Sequence, residues 1–383
     1  MNQLTVKTLA GLENVLAEEL ARLGADNIEV GPRNVQCTGD LATIYRINYQ
    51  SRVAVRVLLP FVQFKTKHEN HFYKKISEID WMEHFGLDET FAIDAVTQSK
   101  YLRHSKYLAL KCKDAIVDQF RARNNGFRPS VDVRNPNLRL NVHLGHDNVC
   151  TISKDSSGSS LHRRGYRTDT VLAPLNEILA AGLLKLADYT GERPFLDPMC
   201  GSGTLPIEAA MIARNVAPQK NRRDPFAFQK WSNYDADLWE RTKRYAHDEE
   251  RPAPQPIFGA DRDFEAYRAA QRNAAAAGVG DSIQLSRKKF ERNQPETETP
   301  GLIVMNPPYD ERLKSEEILQ EYRQYGDVLK QNFTGWTAWI FSGNFAAMKQ
   351  IGLGASKKIP LRNAAIECKF QRYELYSGSR RGE

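Results

Sequence analysis

Phe195-Leu196-Asp197-Pro198-Met199-Cys200-Gly201-Ser202-Gly203-Thr204 leads from a short apolar stretch into a second one, Leu205 to Ala213, at helical spacing. The pattern predicts a strand, a tight turn and a helix. Glycines at 201 and 203 let the backbone turn sharply and approach a ligand closely. The turn lacks the third glycine of a dinucleotide cradle and the Gly-Lys-Ser/Thr of a phosphate loop. Asp197 at the strand end would repel phosphate and accept hydrogen bonds from a cationic amine. The expected ligand therefore carries positive charge and no pyrophosphate.

Working outward, further strands are expected at Ile257–Ala260, Ile283–Leu285, Leu302–Met305 and Trp336–Phe341, each separated from the next by a helical segment. Strands alternating with helices imply a parallel, doubly wound sheet. Ala365 to Tyr376 alternates and reads as part of an antiparallel edge hairpin. The second strand ends in Gly259-Ala260-Asp261, where an acid can grip the two hydroxyls of a ribose or simply cap the helix from Phe264 to Ala277.

The fourth strand ends in Met305-Asn306-Pro307-Pro308-Tyr309. Proline neither donates to a sheet ladder nor continues a helix, so the strand stops in a stiff, extended turn. The Asn306 amide oxygen and the Pro307 carbonyl offer two acceptors for the hydrogens of a planar exocyclic amine, and Tyr309 offers a flat face for a base. Such an amine is a poor nucleophile because its lone pair is conjugated with the ring. Two fixed acceptors pull the nitrogen toward tetrahedral geometry and free that pair.

The first half reads differently. Leu4–Val6, Val35–Cys37 and Val53–Phe64 are expected strands, with helices over Leu12–Leu23 and Leu41–Tyr49 between them, which suggests a small α/β unit. A second unit shows helical spacing over Ile76–Phe85 and Leu108–Arg123. Its strands are expected at Phe91–Val96, Val131–Val133, Leu138–Leu144 and Val149–Ser153. The serine-rich run from Asp155 to Ser160 is the natural flexible linker. Residues 95–139 carry ten Lys or Arg against three acids, in a chain of net charge +7. A polyanion partner would be drawn there.

The chain has 383 residues, 41% hydrophobic and 26% charged, enough for ordinary globular cores in two or three domains. No apolar run reaches bilayer length, and the N-terminus has no basic start followed by an apolar block. The five cysteines are scattered and form no C-x-x-C pair, so neither a disulfide framework nor a zinc site is expected. A cytoplasmic protein without a metal is the expectation.

Asp197–Thr204, Asp261 and Asn306–Tyr309 resemble the S-adenosylmethionine-dependent methyltransferases of adenine N6 and guanine N2. Further stretches are similar to bacterial THUMP-domain RNA methyltransferases: Ser159–Arg167 followed by Ala173-Pro174-Leu175-Asn176-Glu177, Leu102–Ser105 with Ala109–Lys111, Arg128–Asp132, and Phe226–Trp231. The resemblance spans essentially the whole chain. It points to the enzymes that methylate guanine N2 in large-subunit (23S) ribosomal RNA, in a compact form without a second catalytic domain.

It implies a ferredoxin-like α/β domain over 1–65, a THUMP domain over 66–155, a linker over 156–165 and a Rossmann-like methyltransferase domain over 166–383. Asp197, Pro198, Cys200, Gly201, Ser202, Gly203, Thr204, Asp261 and Asn306 would hold S-adenosylmethionine. Asn306, Pro307 and Tyr309 would hold a target base taken out of its stack. Structured RNA would meet Arg103, Lys106, Lys111, Arg121, Arg123, Arg139, Arg163, Arg164, Arg222 and Arg223, with Lys220 near the last two. Many relatives place an acid against the cofactor adenine at the third strand end. Here the segment is Leu285–Phe290, which leaves the adenine contact unassigned, with Phe290 a candidate for packing on the ring. Adenine N6 methylation, guanine-N2 methylation of transfer RNA and an RNA-binding ribosome-assembly factor stand as alternatives.

Overall fold

The computed structural model describes residues 1–168, 175–308 and 316–377. The N-terminal sheet contains β1 (Asn2–Lys7), β2 (Asp26–Gly31), β3 (Asn34–Gly39), β4 (Arg56–Lys65), β5 (Thr90–Thr97), β6 (Ser130–Val131), β7 (Leu138–Leu144) and β8 (Val149–Asp155). Its helices are α1 (Glu13–Arg22), α2 (Leu41–Gln50), α3 (Glu69–Ser77) and α4 (Ser105–Arg123). Local chemistry sets the ends. Asp40 caps α2 by accepting from the Thr43 N–H at 2.7 Å, and Gly24, at φ +84°, ends the turn after α1.

The strand order is β2-β3-β1-β4-β8-β7-β5-β6, one continuous sheet. The two N-terminal units anticipated from sequence therefore share a strand. β4 pairs with β1 through Arg56–Leu58 and with β8 along Leu58–Lys65.

The second sheet follows α5 (Glu177–Leu186). It is built from β9 (Phe195–Asp197), α6 (Thr204–Ala213), α7 (Ala236–Asp248), β10 (Ile257–Asp261), α8 (Phe264–Ala276), β11 (Ile283–Arg287), β12 (Leu302–Met305), α9 (Glu316–Asn332), β13 (Thr337–Ser342), α10 (Phe345–Met348), β14 (Lys357–Asn363) and β15 (Ile366–Glu374). Its order is β11-β10-β9-β12-β13-β15-β14, parallel except for the final hairpin. The chain moves outward from β9 to β11 and then returns to the other side of β9 as β12. This reversal is the switch point, where open α/β sheets bind ligands beyond their strand ends.

The halves are fused by a common core. Leu4, Leu16, Tyr45 and Val57 of the first half pack in one cluster with Leu161, Ile178, Phe226, Phe228 and Trp239 of the second. Tyr45 stacks on Phe228 at 4.4 Å between centroids and meets the edge of Trp239 at 5.7 Å. Beside it lies a buried polar junction. Arg164 Nε donates to Glu208 Oε1 at 3.0 Å, and its Nη2 donates to the Arg52 carbonyl at 2.6 Å. Arg52 reaches the carbonyls of Met211 and Val216, and Tyr166 donates its hydroxyl proton to Glu208 at 3.0 Å.

Several sequence expectations are corrected. The serine run is not flexible: Ser156 and Ser157 are fully buried. Asn48 donates to Ser156 Oγ at 2.9 Å, and Ser157 Oγ donates to Asn48 Oδ1 at 2.6 Å. The third helix precedes the expected Ile76–Phe85, ending at Ser77. Ile79, Trp81 and Phe85 reach the core from a turn that the Gln119 side chain pins at Trp81 N. β6 stops at Val131 because Asp132 accepts from Arg134 N and Asn135 N, bending the chain. β2 and β14 went unread, and both are edge strands with mostly exposed side chains. No helix among the described residues is long and apolar enough to cross a membrane.

Removing one partner of a buried ion pair strands the other charge, at about 3–5 kcal/mol. Glu208→Ala is expected to lose that much in urea unfolding, whereas Lys220→Ala, at the partly exposed Lys220–Glu250 pair, is expected to lose under about 1 kcal/mol.

Candidate active site

Three adjacent strands end at one edge of the second sheet. Asp197 closes β9, Asp261 closes β10 and Asn306 follows β12. Asp197 is buried and accepts from the Met199 N–H at 3.1 Å. Burial pushes its carboxyl well above the usual range, and the neighbouring Asp261 carboxylate adds to this. Pro198 is buried beneath the turn. Burial likewise pushes the Cys200 thiol up, away from the thiolate form.

The glycine turn is tied to β10. Cys200 N donates to the Ala260 carbonyl at 2.8 Å, and Gly201 N donates to Asp261 Oδ2 at 2.8 Å. Asp261 Oδ1 accepts from Asp263 N at 2.9 Å, while Asp263 itself caps α8 through Ala266 N. The capping role considered for Asp261 thus belongs to Asp263. Gly203, at φ +85°, starts α6 in the left-handed region, and a Cβ there would lie 3.0 Å from Ala270 Cβ. Ser202 and Thr204 are buried, and Arg167 reaches toward both hydroxyls, at 3.4 and 3.2 Å.

Asn306 carries the most telling atom. Its Oδ1 is buried and has no hydrogen-bond partner among the described residues. An orphaned buried acceptor costs free energy unless something donates to it. Pro307 is buried behind it. The Pro308 carbonyl accepts from the Tyr322 hydroxyl at 3.2 Å, and Tyr322 also meets Ser342 Oγ at 2.8 Å, so helix α9 and strand β13 hold the turn. Tyr309 lies outside the described residues. Phe290 is buried against Tyr325 in the core under this edge, at 4.7 Å between centroids, which commits its ring to packing.

The candidate RNA contacts divide. Arg103, Lys106, Arg121 and Arg123 are exposed on or beside α4. Arg121 and Arg123 pair with Asp118 and Asp80, and Lys111 lies over the Tyr73 and Tyr107 rings. Arg139 is mostly buried and bonded to Asp94 and the Val133 carbonyl. Arg164 and Arg222 are corrections. Arg164 is spent on Glu208 at the domain junction. Arg222 donates to the Ser157 and Ser159 carbonyls and lies over Phe226 at 4.6 Å, with burial lowering its pKa to about 10. Arg163 and Arg223 are exposed, and their guanidinium groups have no hydrogen-bond or ion-pair partner among the described residues. They line a pocket of about 480 Å³ whose wall includes Arg167. Arg163 also lines a groove of about 710 Å³ running toward Arg134.

Sequence reasoning gave no role to Arg167, Asn273 or Tyr322. Asn273, in the middle of α8, donates to the Ser202 carbonyl at 3.0 Å. An asparagine within an alanine-rich helix was the available signal. Tyr322 had none, since a tyrosine on an amphipathic helix reads as core.

The second sheet is that of a Rossmann-like methyltransferase domain, and the comparisons agree on the fold. A family described as the RMKL-like methyltransferase domain matches residues 164–372, a THUMP domain matches 66–155, and an RlmL ferredoxin-like domain matches 3–58. The chain belongs to the RMKL-like methyltransferase family, whose members use S-adenosylmethionine. It is similar to a Synechocystis sp. protein provisionally named an RNA methyltransferase, 43% identical over 96% of this chain and 95% of that one. It is also similar to the ribosomal RNA large subunit methyltransferase K/L of Syntrophotalea carbinolica, 40% identical over 95% of this chain and 52% of that protein. The chain thus spans about half the length of the K/L relatives. A crystallised protein provisionally named a methyltransferase, in complex with S-adenosylhomocysteine, superposes with a TM-score of 0.88 at 27% identity over 99% of both chains.

Gly203→Ala forces a left-handed alanine against Ala270. It is expected to destabilise the protein by about 1–3 kcal/mol in urea unfolding, with a larger relative loss of S-adenosylhomocysteine affinity measured by calorimetry.

Proposed function

We propose that this protein is an S-adenosylmethionine-dependent RNA methyltransferase that methylates guanine N2 in large-subunit ribosomal RNA. The observation that carries the chemistry is the unpaired, buried Asn306 Oδ1 beside the glycine turn. A base amine supplies the donor that this oxygen lacks.

The residues present suit the cofactor. Asp197 is a buried acid at the strand end whose charge the cofactor's ammonium would compensate, offsetting the burial that pushes its carboxyl up. The positive-φ glycines leave room for a ligand against the backbone. Asp261, already fixed by two backbone N–H groups, takes the ribose hydroxyls. Bound there, S-adenosylmethionine supplies a methyl group on a sulfonium. Asn306 and the Pro307 carbonyl orient the amine and accept from its hydrogens, and Tyr309 stacks on the base. The prolines and Tyr322 keep the acceptors from reorganising. No strong base is needed, because the amine becomes acidic only once it is methylated.

The RNA assignment draws on the THUMP domain and on the names of the relatives. The choice of guanine N2 and of the large subunit rests on the family resemblance and the K/L relatives. Adenine N6 methylation uses the same acceptors and is the second reading.

Labelled methyl transfer onto RNA from cells lacking the enzyme, followed by nucleoside analysis, is expected to yield N2-methylguanosine. N6-methyladenosine would select the second reading. Asn306→Ala is expected to abolish turnover with cofactor affinity nearly unchanged, and an equal loss of both would count against its role at the amine.

Arg163 and Arg223 lie next to the site and are free to meet phosphates. The double variant Arg163→Ala/Arg223→Ala is expected to lower the slope of log affinity against log salt by about 0.7–0.9 per cation removed. Arg164→Ala and Arg222→Ala are expected to lower stability instead.

A further inference from the structure

A second pocket, of about 510 Å³, lies on the N-terminal sheet where β4, the turn after α3, β8 and the 227–233 segment meet. It is remote in sequence from the glycine turn and from Asn306. Phe61, His84, Lys154, Lys230, Trp231 and Asn233 are among its walls.

Three features distinguish it from a packing gap. The Lys154 ammonium is half-buried and has no hydrogen-bond or ion-pair partner among the described residues, and burial lowers its pKa. The Trp231 indole N–H is buried and also unpartnered. Phe61 and His84 lie ring against ring at 4.7 Å, giving the pocket an aromatic side. Of the acids on the wall, Glu89 is occupied by the Gly86 N–H at 2.6 Å and Glu83 is solvent-exposed. Unpaired donors beside aromatic surface suit a planar ligand rich in acceptors and carrying negative charge.

The pocket is also joined to the catalytic half. Lys230 lines both it and the groove that contains Arg134 and Arg163. Its ammonium is fixed by the Asn135 and Pro136 carbonyls, at 2.7 and 3.1 Å. The groove then shares His162, Arg163 and Asp224 with the pocket beside Arg167 and the glycine turn.

We propose that the Lys154–Trp231 pocket binds one unpaired nucleotide of the RNA substrate, a second anchor away from the reacting base. The strand passes along the groove from this anchor to the active site. A single-stranded nucleotide is the occupant that satisfies the donors, the aromatic side and the continuity with the groove together. The inference rests on the RNA reading above.

The chain has five tryptophans, so ¹⁵N-labelled protein gives five indole N–H resonances, and Trp231→Phe identifies the relevant one. The probe is a mixed-sequence single-stranded RNA tetranucleotide, with inorganic phosphate as the control. The Trp231 resonance is expected to move saturably with the tetranucleotide and to stay in place with phosphate. Lys154→Met, checked for an unchanged melting temperature, is expected to weaken the tetranucleotide at least fivefold.

A Trp231 resonance unmoved at saturation, an equal response to phosphate, or undiminished binding by a folded Lys154→Met would overturn the proposal. Methyl transfer to RNA is measured on the same preparation. Transfer with an unmoved Trp231 overturns the anchor alone. Movement without transfer supports the anchor and overturns the catalytic reading.

Discussion

The placement of the strand-end edge of the second sheet relative to the N-terminal sheet depends on a buried junction of charges. Arg164, Glu208, Arg52 and Tyr166 join the strap entering the second half, helix α6 and the segment before β4. Two ions taken out of water recover their solvation only if geometry and extra hydrogen bonds are good. Here each guanidinium also reaches backbone carbonyls across the seam. Hydrophobic packing alone tolerates sliding, whereas these directional bonds permit one arrangement. Because α6 also begins at the glycine turn, the junction that fixes the halves also fixes that turn.

The apolar part of the seam adds area to that direction. The segment between α6 and β10 belongs by sequence to the methyltransferase half, yet Phe226, Phe228 and Trp239 pack on Tyr45 and Tyr49 of α2. This segment is therefore a clamp between the halves. It presents Arg222 to the serine run and Lys230 to the loop before β7, and these contacts shape the groove walls. A basic residue seen in sequence can serve such a scaffold or face a polyanion, and only its partners distinguish the two.

That distinction explains what could be read in advance. The parallel sheet, its switch point and the three strand-end residues follow from local pattern, because period and turn chemistry are carried by neighbouring residues. Asp197, Asp261 and Asn306 could be placed at adjacent strand ends for that reason. Arg164 and Arg222 were misassigned because their acceptors, Glu208 and the carbonyls near Ser157, are distant in sequence or belong to the backbone. The serine run looked flexible because composition does not reveal that Asn48 saturates it. Edge strands β2 and β14 lack an apolar face on most of their length, so the period that identifies a strand is missing. The orphaned state of Asn306 Oδ1 has no sequence signature.

Strand β4 has an evolutionary implication. Its first residues complete the ferredoxin-like sheet and the remainder carries the THUMP sheet, so neither unit has a free border there. A shift of one residue would turn every inward side chain outward in both. Exchanging either unit by recombination would take β4 from the other, since a cut on either side leaves one of them without the strand that closes its border.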